Sequence, residues 1–163
     1  MITDDALTIV LSKDFDPDTC RIGIIVSRFN TDITDRMVTG ATACLTSHGF
    51  KQDSVEIIHV PGAWELPQAT SAMLRLDRHD AIITLGCVIR GETPHFDYVC
   101  SAANDGIATV ARDAPIPIVF GVLTTNTYTQ ALERAGEGQA NKGYQAAMAA
   151  LQMIDLYGRL AAN

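Results

Sequence analysis

Ala81-Ile82-Ile83-Thr84-Leu85-Gly86-Cys87-Val88-Ile89, followed at once by Arg90-Gly91-Glu92-Thr93-Pro94-His95-Phe96, is the stretch that decides the fold. Its first nine residues form a nearly continuous apolar run, without the alternation of a half-wet strand. A strand of that kind is buried on both faces, as in a parallel sheet covered by helices. Gly91 ends the run, Thr93 is a candidate N-cap, and Pro94 suits the first helical position, where its missing N–H costs nothing. The spacing then predicts a helix over Pro94–Arg112.

Outward from this unit the pattern repeats. Ile22–Val26, Val55–Val60 and Ile116–Leu123 are short apolar runs that read as strands. Helices are expected at Ile33–His48, Glu65–Leu76, Thr127–Ala135 and Asn141–Leu160. Strands separated by helices of this length mean βαβ units and a mainly parallel sheet. Ala6–Leu11 is a candidate fifth strand, joined to the rest by a polar linker over Ser12–Thr19. The expected division is therefore residues 1–20 as N-terminal strand and linker, and residues 21–163 as one α/β domain. Between Ala146 and Leu160 the only polar side chains are Gln152, Asp155 and Arg159, on one narrow helical stripe. A helix wet on so thin a stripe is either a well-covered core helix or part of a subunit interface.

Composition narrows the function classes. With 163 residues the chain has about one domain's length. Twelve Lys and Arg against 19 Asp and Glu give a net charge of −7, the wrong sign for a nucleic-acid binder. A hydrophobic share of 47% with 19% charged residues excludes a disordered chain. No apolar run reaches the ~18 residues that span a bilayer, and Met1-Ile2-Thr3-Asp4-Asp5 is acidic where a secretory signal is basic. A cytoplasmic protein without membrane contact is expected. Cys20, Cys44, Cys87 and Cys100 form no C-x-x-C pair, and no His is spaced to share a metal with them. No metal site is expected.

Ligands of open parallel sheets bind beyond the carboxyl ends of the strands. Here those ends carry Phe29 after the first strand, Ala63-Trp64-Glu65 after the second, and His95 after the third, with Phe120 in the fourth. Aromatics, a carboxylate and an imidazole converging on one sheet edge suit a flat, hydrogen-bonding ligand. The backbone around Glu92 and Thr93 is placed to cradle a phosphate at a helix start. His95 lies in the first helical turn, where the macrodipole disfavours the imidazolium and a neutral ring can exchange protons; Glu92 pulls the other way. Arg134 offers a planar fork for phosphate and Lys142 a mobile point charge. Taken singly, these two read as an ordinary helix-end cation and a solvated loop lysine. Cys44, Cys87 and Cys100 read as packing residues, and His48, His59 and His79 as surface or strand residues without partners.

Leu85-Gly86-Cys87-Val88-Ile89-Arg90-Gly91-Glu92-Thr93-Pro94-His95-Phe96-Asp97-Tyr98-Val99 closely resembles the signature of the 6,7-dimethyl-8-ribityllumazine synthase family. Arg28-Phe29-Asn30, Pro61-Gly62-Ala63-Trp64-Glu65-Leu66-Pro67, Phe120-Gly121-Val122-Leu123-Thr124-Thr125, Glu133-Arg134-Ala135-Gly136 and Asn141-Lys142-Gly143 match it in family order. The resemblance implies a three-layer α/β/α fold with a four-stranded parallel sheet in flavodoxin-like order, and an N-terminal strand added to a neighbouring subunit. It implies a transferase of riboflavin biosynthesis that joins 5-amino-6-(ribitylamino)uracil to 3,4-dihydroxy-2-butanone 4-phosphate, releasing phosphate and water, without metal or organic cofactor.

The resemblance also implies roles. Phe29 and Trp64 would contact the pyrimidine ring, while Ala63, Glu65 and the backbone of Cys87, Val88 and Ile89 bind its polar edge and the ribityl chain. Glu92, Thr93 and Arg134 would hold the phosphate, with Lys142 nearby, and His95 would shuttle protons. Phe120 and Arg134 would come from an adjacent subunit of a pentamer. Trp64 stands where another aromatic or a smaller residue is common, and Gln145 where an acid is common. The short Gly136–Asn141 turn leaves pentamer, decamer and closed cage as alternatives. A non-catalytic flavin- or lumazine-binding or shell-forming paralogue is the second reading, although a pure binder needs no proton shuttle. A flavodoxin-like electron carrier ranks third, because Arg28-Phe29-Asn30 stands where such a carrier has a Ser/Thr-rich phosphate loop.

Overall fold

Strands β1 (Ile22–Ser27), β2 (Val55–Val60), β3 (Ala81–Ile89) and β4 (Ile118–Thr125) form one parallel sheet ordered β2-β1-β3-β4 in the computed structural model, which describes residues 11–162. The chain steps outward from β1 to β2, then returns to build β3 and β4 on the other side. That reversal puts a topological switch point between β1 and β3, where their carboxyl ends diverge. The expected α/β architecture and strand order are borne out. The fifth strand, Ala6–Leu11, falls outside the described residues apart from Leu11, which belongs to no strand.

Helices cover both faces. Helix α1 (Thr31–Ser47) and helix α5 (Lys142–Ala161) lie on one, packing Met37, Ala41, Leu45, Ala147 and Leu151 against Ile24, Val26, Ile83 and Leu85. Helix α2 (Leu66–Leu74) and helix α3 (His95–Asp113) lie on the other, packing Leu66, Met73, Ala103 and Ile107 against Ile25, Ile82 and Val122. Alternate residues of β1 and β3 thus feed opposite cores, which is why these strands are apolar without a break. Full burial of each Ile or Leu contributes about 1.5–3 kcal/mol before entropy is counted. The short α4 (Tyr128–Arg134) closes the α1/α5 side through buried Ala131. Helices α1 and α5 cross so closely that a Cβ on Gly143 would stand 1.8 Å from the Met37 carbonyl oxygen, so only glycine fits there.

Element boundaries shift from expectation for identifiable reasons. Strand β4 begins two residues later than the apolar pattern suggests, because Pro115 and Pro117 cannot donate to a ladder. The Pro117 carbonyl still accepts from Ile82 at 2.9 Å. Helix α2 is preceded by a 3-10 turn over Ala63–Glu65 and stops at Leu74, before Asp77 adopts φ +50°. Helix α3 starts at His95 with Pro94 as its cap residue, so the Thr93 hydroxyl does not cap it as expected. Helix α5 starts at Lys142, one residue after the expected start, because Asn141 serves as its cap.

Two readings are corrected. The polar stripe of α5 is not uniformly wet: Asp155, at its middle, is buried, accepts from the Ser12 hydroxyl at 2.5 Å and pairs with exposed Arg159 at 3.2 Å. Leu156, Tyr157 and Leu160 are exposed beside Arg159, while Asp155 is spent on holding Ser12 of the N-terminal linker. His79 is not without a partner either; its buried ring lies 2.7 Å from Glu56, which also pairs with Arg78. Burial pushes the Glu56 carboxyl up, but hydrogen bonds from His79 and Arg78 outweigh it and hold the group below its ordinary value. Among the described residues no helix is long and apolar enough to cross a membrane.

Candidate active site

A cavity of about 510 Å³ opens at the switch point. The ends of β1, β2 and β3 each supply one wall. After β1 the backbone turns at Asn30, which adopts the left-handed conformation (φ 59°) and donates its amide N–H to the Cys87 carbonyl at 2.9 Å. That bond ties the exits of β1 and β3 together and leaves the Phe29 ring 71% exposed to the opening. After β2 the Glu65 carboxylate accepts from the Gly62 N–H at 2.9 Å, closing the 3-10 turn that turns Trp64 outward. Trp64 is 60% exposed and buried Ala63 forms the floor beside it. After β3, Cys87, Val88 and Ile89 give the third wall, and Gly91, Thr93 and His95 the rim. The Cys87 thiol is pushed up to about 11 by burial, with the Asp32 carboxylate adding to the effect, so it is a neutral wall group at ordinary pH.

Nine of the expected residues therefore meet in one place: Phe29, Ala63, Trp64, Glu65, Cys87, Val88, Ile89, Thr93 and His95. Glu92 does not line the cavity; it is exposed on the turn beside it. Phe96 and Val99 line the wall without having been expected. Their signal was present, since His95 and Val99 are one helical turn apart and share a face once α3 is known to begin at His95.

Phe120, Arg134 and Lys142 are elsewhere, which corrects the expected convergence of all the aromatics on one sheet edge. They line a separate groove on the outer side of β4, with Gln145 and Ala146 from α5. Phe120 is the third residue of β4, five before Thr125 at its carboxyl end. Arg134 donates to the Gln130 carbonyl at 2.9 Å, and the Lys142 ammonium donates to the Gln145 side-chain oxygen at 2.7 Å. Both cations remain exposed. Buried Asn141 holds the segment between them: its amide N–H groups donate to the Arg36 and Gly136 carbonyls at 3.1 and 2.7 Å. Its oxygen accepts from the Gly143 and Tyr144 N–H groups at 2.7 and 3.2 Å.

Chemically, the cavity offers π-faces, a carboxylate and an imidazole, which suit a planar heterocycle and proton transfer. The groove offers two cations and an aromatic edge, which suit an anion. Among the described residues no group of three His, Cys, Asp or Glu side chains lies together as a metal site.

Comparison with known proteins adds a direct finding. The family model described as 6,7-dimethyl-8-ribityllumazine synthase matches residues 19–158. A 6,7-dimethyl-8-ribityllumazine synthase from Desulfatibacillum aliphaticivorans is 50% identical over 136 residues, 83% of this chain and 88% of that protein.

Proposed function

The chain belongs to the 6,7-dimethyl-8-ribityllumazine synthase family, and from that premise we propose that its cavity and its groove are two halves of one catalytic centre, completed between neighbouring subunits. The reaction is the condensation of 5-amino-6-(ribitylamino)uracil with 3,4-dihydroxy-2-butanone 4-phosphate, in riboflavin biosynthesis. Small-molecule substrates and an oligomeric assembly go with the family.

In this reading the pyrimidine stacks between Phe29 and Trp64 and places its polar edge against Ala63, Glu65 and the backbone of Val88 and Ile89. The Cys87 carbonyl already accepts from Asn30, so it has one lone pair left for a ligand. The butanone phosphate rests on the Gly91–Thr93 turn at the start of α3, where N–H groups and the helix dipole favour an anion. Arg134 and Lys142, with Phe120, close over it from the adjacent subunit. His95 takes and returns protons: from the pyrimidine amine as it adds to the ketone carbonyl, to the hydroxyl that leaves as water, and in the ring closure that follows phosphate loss.

The observation that carries this reading is the separation itself. The cavity carries the stacking groups, the imidazole and the Gly91–Thr93 turn, whereas the cations Arg134 and Lys142 lie on a different surface of the same chain, so a phosphate at the turn meets a side-chain cation only if another copy brings its groove there. The exposed Leu156, Tyr157 and Leu160 of α5 supply apolar surface for the contact between copies. A pentameric ring, residues 1–20 as an arm to a neighbour's sheet, residues 21–163 as the domain, and a cytoplasmic location complete the proposal. The test is to give purified protein both substrates and follow the fluorescent lumazine and inorganic phosphate, with light scattering on the same sample. Product formed by an oligomer is expected; full activity in a monomer overturns the shared centre.

A further inference from the structure

Arg90 lines neither the cavity nor the groove, yet its guanidinium joins three elements that meet at the cavity rim. Its Nε donates to the Asn126 side-chain oxygen, just beyond β4, at 3.0 Å. Its two terminal nitrogens donate to the two carboxylate oxygens of Asp97, in the first turn of α3, at 3.4 and 3.1 Å. Its central carbon lies 4.3 Å from the centre of the Phe96 ring, a cavity wall residue. The Arg90 N–H also donates to the Thr125 carbonyl at 2.9 Å, extending the β3–β4 ladder by one bond.

The segment this clamp spans has little else to hold it. Gly91, Glu92, Thr93 and Pro94 are all exposed, and a Cβ added at Gly91 would touch nothing within 4 Å. The path of the turn is therefore set by its two ends, the exit of β3 and the first turn of α3, and Arg90 is anchored to both. Exposed ion pairs contribute little to overall stability, so a clamp this elaborate at this place serves geometry. It serves charge as well: Asp97 stands two residues after His95, and the Arg90 fork neutralises a carboxylate that would repel an anion at the turn.

We propose that Arg90 is a positioning residue for the reaction, fixing the Gly91–Pro94 turn and His95 through Asp97 and Phe96 and masking the Asp97 charge from the phosphate substrate. This rests on the assignment of His95 and that turn to proton transfer and phosphate binding. The test measures kcat, both KM values and pyrimidine affinity for Arg90→Ala, Arg90→Lys and Arg90→Ala/Asp97→Asn, with His95→Ala run alongside. Arg90→Ala is expected to lower kcat about tenfold and to raise KM for the butanone phosphate, with pyrimidine affinity and melting temperature held. Arg90→Lys keeps the charge but not the fork, so KM stays near wild type while kcat falls a few-fold. The double variant, with the exposed carboxylate gone, recovers KM but not kcat.

Arg90→Ala or Arg90→Lys with wild-type kcat, beside a slowed His95→Ala, overturns the positioning role and leaves the site assignment standing. His95→Ala at wild-type rate overturns both. Equal loss of affinity for the two substrates in Arg90→Ala reduces the residue to general structural support and overturns the proposal too. Should Arg90→Ala not fold, Arg90→Lys decides alone, since its kcat against KM split is specific to a clamp.

Discussion

The cavity at the ends of β1 and β3 and the groove on the outer side of β4 differ in almost every physical respect. The cavity is walled by aromatic and aliphatic groups, built from three strand exits and complete within one chain. The groove lies between β4 and α5 and carries Arg134 and Lys142 exposed to water. Desolvation explains why the two are kept apart. Stacking a flat ring gains from dry walls, whereas a cation buried in such walls would lose hydration and, for a lysine, its charge. Placing the cations on a different surface keeps them hydrated and charged. It also reconciles an anionic substrate with a chain of net charge −7, since short-range contacts rather than the overall field do the attracting.

The comparison can be broken most sharply at Arg134. Arg134→Ala is expected to lower kcat/KM for the butanone phosphate about a hundredfold, the loss of a charge-assisted fork, while Trp64 fluorescence still reports normal pyrimidine binding. His95→Ala should lower kcat only about tenfold, because positioning supplies much of the rate. Equal or reversed losses would mean the anion is not held mainly from the groove. Mixing these two weakened proteins under conditions that let subunits exchange should raise activity to about a quarter of wild type, above either variant alone, since one interface in four then pairs an intact cavity with an intact groove. No recovery on mixing would place the whole centre within one chain.

Smaller effects sharpen the cavity side. Phe29→Ala should weaken pyrimidine binding by about 0.5–1.5 kcal/mol without altering KM for the phosphate substrate, read by titrating the single tryptophan, Trp64. The smallest effect lies far from either half, at Glu56 near the start of β2. Its carboxyl is held below the ordinary value, so the stability it contributes is present above the ordinary carboxylate range and lost as pH falls through the folded value. Urea midpoints should drop on acidification below about pH 4, by under about 1 kcal/mol for this half-exposed group. Glu56→Gln should remove that part of the drop and leave kcat unchanged.

Much of the fold was legible because its signals are local and redundant. Ala81–Ile89 is a buried strand by composition alone, and the alternation of strands with helices leaves a parallel sheet as the economical solution. The cavity residues were legible for the same reason, since strand ends in such sheets converge. Phe120 was misplaced because a residue's position along a strand cannot be told from the strand's presence; β4 runs on to Thr125, two residues past the expected end, which leaves Phe120 near its amino end. Asp155 and His79 were misread for a different reason. Their partners, Ser12 and Glu56, lie 143 and 23 residues away, and nothing local announces a pairing over such distances. Thr93 looked like a cap because its residue type fits the role, but a proline at the next position took the cap geometry instead.

The buried amide of Asn141 has a consequence of its own. Every valence it has is used: two donated bonds reach the backbone at Arg36 and Gly136, and two accepted bonds come from the first turn of α5. Arg134 lies two residues before one of those anchors and Lys142 directly follows the amide, so the two cations share a single hinge pin. They cannot be retuned one at a time from the scaffold side. Any drift in Asn141 carries both charges with it, as a bolt moves both jaws of a vice, and the spacing between them is inherited as one quantity rather than two.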